Sequence, residues 1–152
     1  MTRLLLAVLA FFAFTSATIA SEPVPKESLL TPPEEATRYV IVSDTNTHGD
    51  EWRWETEDGA IAFRKSQSLR GWITETDALI VLGYDGKPLR IQIRGITPRG
   101  DAAEEMVSDE NGIRWDSGAD TGTAPPDGGF YLTKGGPDAI FGLLVEHMLD
   151  KG

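Results

Sequence analysis

The chain has 152 residues, enough for one domain, and carries 24 acidic against 14 basic side chains, a formal net charge of −10. Such a surface repels nucleic-acid phosphates and anionic lipid headgroups, which argues against a general nucleic-acid binder. No cysteine is present, so disulfides, thiolate metal sites and a lipoprotein attachment cysteine are excluded.

The first segment reads as an export signal. Arg3 supplies a positive start, residues 4–14 are an apolar run, and small residues lead to a cleavage site between Ala20 and Ser21. The run is shorter than the roughly 20 residues that a membrane span needs. Cleavage there removes one basic residue, leaving 13 basic and 24 acidic side chains, a net charge of −11. The expected address is exported, periplasmic or extracellular in a bacterium, with no membrane span after signal removal. Residues 21–37 hold Pro23, Pro25, Pro32 and Pro33 among Glu and Ser. That composition predicts an extended, poorly ordered linker, with order beginning at Arg38.

Residues 38–152 are expected to form a single β domain. Tyr39-Val40-Ile41-Val42 reads as a strand, and residues 44–50 as a polar turn. Residues 51–57 alternate, with Trp52, Trp54 and Thr56 on one face and Arg53, Glu55 and Glu57 on the other. Asp58-Gly59 is a hairpin signal, and residues 60–66 return with Ile61 and Phe63 together. Two β-rich runs at the centre, residues 72–82 and 89–96, flank a turn at Asp85-Gly86. In the second run Leu89, Ile91 and Ile93 alternate with Arg90, Gln92 and Arg94, so one face is buried and the other wet. A turn at residues 97–100 leads to a strand over residues 102–108. Two registers fit that strand: Glu104 inward with a partner such as an Arg, or Ala103 and Val107 inward. Residues 113–117 place Ile113 and Trp115 together. Residues 118–129 read as a Gly/Pro-rich loop, and residues 130–133 as a short strand.

The period then changes. Pro137 suits a first helical position, and Ile140, Phe141, Leu144, Val145, Met148 and Leu149 recur at helical spacing. Residues 137–150 are therefore expected to be an amphipathic helix lying on the sheet. The fold class that results is mainly β: a curved antiparallel meander of about seven or eight strands, half-barrel or sandwich-like, with one C-terminal α-helix.

No catalytic, metal or cofactor site follows from these residues. His48 and His147 are far apart and neither belongs to a His-x-His or His-x-x-x-His pair. There is no Gly-x-Ser-x-Gly elbow. The glycine-rich loop lacks the Gly-Lys-Ser/Thr ending of a phosphate loop. Acidic neighbours such as Glu104-Glu105 diverge on a strand. What remains is an apolar set that forms either a ligand pocket or the core: Trp52, Trp54, Ile80, Leu82, Ile91, Ile93 and Trp115, with Phe141 and Leu144 from the helix.

One resemblance adds to this. The succession Leu69-Arg70-Gly71, Gly86-Lys87-Pro88-Leu89, a strand ending in Gly95, and Phe130-Tyr131-Leu132 through Pro137 before a Leu-rich helix resembles the N-terminal β domain of secreted bacterial amidohydrolases of the imidazolonepropionase-like group. It covers residues 38–149. Members of that family continue into a metal-dependent (β/α)₈ barrel bearing a His-x-His pair, further His ligands and an Asp, and no position here matches those ligands. The resemblance therefore implies an exported, non-catalytic domain, cut short at its C-terminus, that packs against an amidohydrolase barrel or self-associates through Phe141 and Leu144. A weaker resemblance, to periplasmic lipoprotein carriers, implies a half-barrel that binds lipid or another apolar ligand.

Overall fold

The structure, a computed structural model, describes residues 24–151 apart from Thr45 and Gly128. The expected signal peptide lies outside the described residues. The strands are β1 (Thr37–Ser43), β2 (Asn46–Glu55), β3 (Ile61–Leu69), β4 (Trp72–Leu82), β5 (Pro88–Thr97), β6 (Gly100–Asp101), β7 (Glu104–Asp109), β8 (Gly112–Asp116) and β9 (Thr121–Ala124), and α1 (Ile140–Lys151) follows. They form one antiparallel sheet in the order β1-β2-β3-β4-β5-β7-β8-β9, with the two-residue β6 folded back on β5. The sheet is open, and β1 and β9 are its edges. The expected mainly β meander with one C-terminal helix is the fold found, with β6 and β9 bringing the strands to nine.

Register explains where the core lies. Ile61, Ile80, Ile91, Met106 and Trp115 stand opposite one another across five strands, and Phe63, Ala78 and Ile93 form the next row. Directly opposed residues share a face, so both rows lie on what is here called the front of the sheet. Ile140 and Leu143 of α1 join that cluster, with Phe130, Tyr131 and Ala139 packed around it. Each fully buried aliphatic or aromatic side chain there contributes about 1.5–3 kcal/mol.

Two glycines are required by close approach. Gly95 has φ +118°, and a Cβ there would lie 2.0 Å from the Glu75 carbonyl oxygen of β4. A Cβ on Gly122 would lie 2.2 Å from Cζ2 of Trp115, so the indole packs over bare backbone.

Several expectations are corrected. Residues 46–50 extend β2 instead of forming a polar turn, because Asn46, Thr47, Gly49 and Asp50 pair with β1, and Gly49 and Asp50 with β3 as well. The hairpin at Asp58-Gly59 has a longer loop than the two residues expected. Thr56 closes it: its N–H donates to Ala60 O and its Oγ1 accepts from Ala60 N. Residues 130–133 form no strand; β9, drawn from the expected loop, takes the edge beside β8. The helix begins at Ile140, preceded by turns in which Pro137, Asp138 and Ala139 carbonyls accept from residues 140–142. The proline-rich stretch is not a free linker over its described part. Residues 24–36 lie on the back of the sheet, with Leu29 only 6% exposed.

Candidate functional site

The two covering segments are held in different ways. On the front, carboxylates of the sheet receive backbone donors of the C-terminal segment. Glu104, 2% exposed, accepts from the Tyr131 hydroxyl (2.8 Å) and from the N–H groups of Lys134 (2.9 Å) and Gly135 (3.3 Å). Of its two possible registers the inward one is realised, and its partners are a phenol and two amides instead of an Arg. Burial first, and then the Glu104 carboxylate, push the Tyr131 phenol above its usual range.

Glu51 accepts from the N–H groups of Asp138 and Ala139 just before α1, where unpaired amides and the helix dipole favour an anion. Burial pushes its carboxyl above the ordinary 4.5, and the Ala139 amide and Lys65 offset this only in part. Lys65 pairs with Asp138, and Arg53 holds Glu146 of α1 in a two-pronged contact at 2.7 and 3.1 Å. His147 reaches the Asp85 carbonyl at 3.0 Å.

On the back, the floor is a row of charges. Arg64 of β3 pairs with Glu75 of β4, and Arg94 of β5 with Asp77 of β4. Arg64 also donates to the Lys65 and Thr76 carbonyls, and Ser66 donates to Glu75 at 2.8 Å. The strap of residues 24–36 attaches to the same carboxylates. Lys26 Nζ reaches Glu75 at 2.6 Å, and the Leu30 N–H donates to Asp77 at 2.7 Å. Burial raises the Glu75 pKa, but Lys26, Arg64 and Ser66 together outweigh it and hold the carboxyl below the ordinary 4.5. Between strap and sheet is a cleft of about 440 Å³, lined by Lys26, Leu29, Leu30, Pro32, Trp52 and Arg64, with Glu27, Thr31 and Ser66 completing it.

The apolar set expected from the sequence does not stay together. Ile80, Ile91 and Ile93 are in the front core, with Leu82 and Trp115 packed against it. Trp52 and Trp54 are on the back: they oppose Arg64 and Ala62, whereas the core residue Phe63 opposes Arg53. Side-chain alternation therefore separates them from the other seven residues. Leu144 is half-buried. Phe141 is corrected to an outward position, 48% exposed. The inward helix residue outside the expected stripe is Leu143, which is buried in the core cluster.

That rotation leaves an apolar stripe facing away from the sheet. Phe141, Val145, Met148 and Leu149 are 48, 53, 63 and 75% exposed, and their spacing puts them on one side of α1. Gly142 lies within the same turn, and a Cβ built on it meets nothing within 4 Å. Leu132 is exposed as well. A helix with apolar residues on both its inner and outer sides has surface for a second neighbour.

Among the described residues, no group of three or more His, Asp or Glu side chains is placed to hold a metal ion, and no helix is long and apolar enough to cross a membrane. His48 sits in β2, its Nε2 2.6 Å from Ser43 Oγ. No protein-family model, no curated protein and no solved structure matches this chain.

Proposed function

We propose that this chain is an exported, non-catalytic β domain related to the N-terminal region of secreted metal-dependent amidohydrolases, and that it works by packing against a catalytic barrel. The observation that carries this is the outer stripe of α1. Phe141, Val145, Met148 and Leu149 are exposed on a helix whose inner side is already used by Ile140 and Leu143. Contiguous exposed apolar side chains rimmed by polar groups mark interaction surfaces. The helix is also tied to the sheet by Arg53 with Glu146 and by Glu51 before its first turn, which positions the stripe away from the sheet.

The alternative, a carrier for lipid or another apolar ligand, has less behind it. Its lining residues Ile80, Ile91 and Ile93 are packed beneath Ile140 and Leu143. Native mass spectrometry of protein from its host separates the two: co-purifying lipid favours the carrier.

The packing proposal is tested by size-exclusion chromatography. The chain from Ser21 onward is mixed with a metal-dependent amidohydrolase barrel encoded by the same genome. Co-elution that is lost in Val145→Asp/Met148→Asp is the expected result. No complex, or a complex indifferent to those substitutions, overturns the proposal. Stoichiometric zinc binding with amide cleavage by the chain alone would overturn its non-catalytic part.

A further inference from the structure

We infer that the cleft beneath the N-terminal strap binds a small aromatic carboxylate. The cleft, about 440 Å³ and open to solvent, has the size of small-molecule sites, which combine an apolar wall with a few placed polar groups. Trp52 supplies a flat aromatic surface, and Leu29, Leu30 and Pro32 an aliphatic one. Two cationic heads, Lys26 and Arg64, reach the same cleft and share one carboxylate, Glu75. The neighbouring Asp77 is engaged by Arg94. Lys26 and Arg64 thus share a single carboxylate, and Glu27 of the lining brings the charges around the cleft into balance.

The guanidinium is preorganised. Its two terminal nitrogens are occupied by the Lys65 and Thr76 carbonyls and by Glu75, while Nε makes no hydrogen bond among the described residues. Arg is suited to carboxylates because its donors are fixed in a plane. Glu27, exposed on the short turn Lys26–Ser28, is the one acidic residue in the lining. A ligand carboxylate is repelled by it and drawn to Lys26 and Arg64. The inference needs no partner on α1 and stands apart from the packing proposal.

The probes are 2-naphthoate and its neutral counterpart 2-naphthalenemethanol, titrated calorimetrically into the chain from Ser21 onward. Saturable one-to-one binding of the carboxylate is expected, with the neutral probe weaker by roughly fivefold or more, as befits loss of a charge-assisted contact. Lys26→Met should weaken the carboxylate by a similar factor and leave the neutral probe unchanged. Glu27→Gln should tighten it. Trp52→Leu should weaken both probes. No saturable binding up to roughly 1 mM, equal affinity for the two probes, or indifference of the carboxylate to Lys26→Met each overturns the inference. If Trp52→Leu fails to fold, the probe pair and the Lys26 variant still decide it.

Discussion

The two faces of the sheet are covered by the two ends of the described chain, and the covers differ in kind. The front cover, residues 130–151, completes an apolar core: Ile140 and Leu143 seal Phe63, Ile80, Ile91 and Ile93. Its backbone amides end on two carboxylates of the sheet, Glu51 and Glu104. Removing it exposes apolar surface and strands two buried anions. The back cover rests on charges that already satisfy one another, Arg64 with Glu75 and Arg94 with Asp77. It adds one buried side chain, Leu29, and two polar contacts. The front cover is thus part of the fold, and the back cover is a separable strap over a self-sufficient floor.

The largest expected effect is on the front. Phe63→Ala empties the middle of the core and should cost about 3–5 kcal/mol in chemical denaturation; a loss below about 1 kcal/mol would mean the core is elsewhere. The back floor should respond to charge, not volume. Glu75→Ala leaves the buried Arg64 unpaired and should cost roughly 3 kcal/mol, whereas Arg64→Met with Glu75→Met together should be near neutral. Equal losses in the single and double variants would break the contrast between the faces.

Leu29→Ala should cost about 2 kcal/mol, felt as release of the strap. Limited proteolysis near residues 24–36 should accelerate while hydrogen exchange in β4 and β5 stays protected. Loss of protection throughout would show that the strap belongs to the global fold.

The pH dependence has opposite signs on the two faces. Glu75 is held below 4.5 when folded, so its contribution is complete above that value and is lost as the pH falls through the lower folded pKa. Glu51 is raised above 4.5, so the folded state binds its proton more tightly. Its contribution is present below 4.5 and is lost as the pH rises through the raised value. Glu75→Gln should flatten the acid-side loss, and Glu51→Gln should remove the decline on the higher side. Denaturation across that pH range reads both.

The smallest effect sharpens the role of the outer helix side. Gly142→Ala places a methyl in open space and should stabilise the isolated chain by about 0.5–1 kcal/mol through helix propensity. If the partner approaches closely at Gly142, the same methyl weakens the complex.

Much of the fold was legible because the strands alternate with period two. The alternation from Leu89 to Arg94 marks β5 and puts Ile91 and Ile93 on its buried face; Leu89, expected beside them, is 44% exposed because the register with β4 shifts between Val81 and Leu82. The paired strand reaching Glu104 was recognised, but not its register, because Glu104 is inward only through partners thirty residues on. Trp52 and Trp54 were grouped with the core by hydrophobicity. Their own alternation with Arg53 could have placed them on the face opposite Phe63 had the register with β3 been known. The helix was legible and its phase was not: Leu143 and Leu144 adjoin, and apolar residues run more than halfway round α1, so no stripe is unique. The strap was missed because prolines forbid regular structure without forbidding docking, and its anchors, Glu75 and Asp77, are almost fifty residues away.

The central claim is that the outer side of α1 is covered by a catalytic barrel in the cell. A photo-crosslinking amino acid at position 148 tests it directly, with position 90 on the back of the sheet as the control. The account predicts an adduct from position 148, and none from position 90, whose second component carries a metal-dependent amidohydrolase barrel. Equal adducts from both positions, an adduct with only a second copy of this chain, or no adduct at all would contradict it.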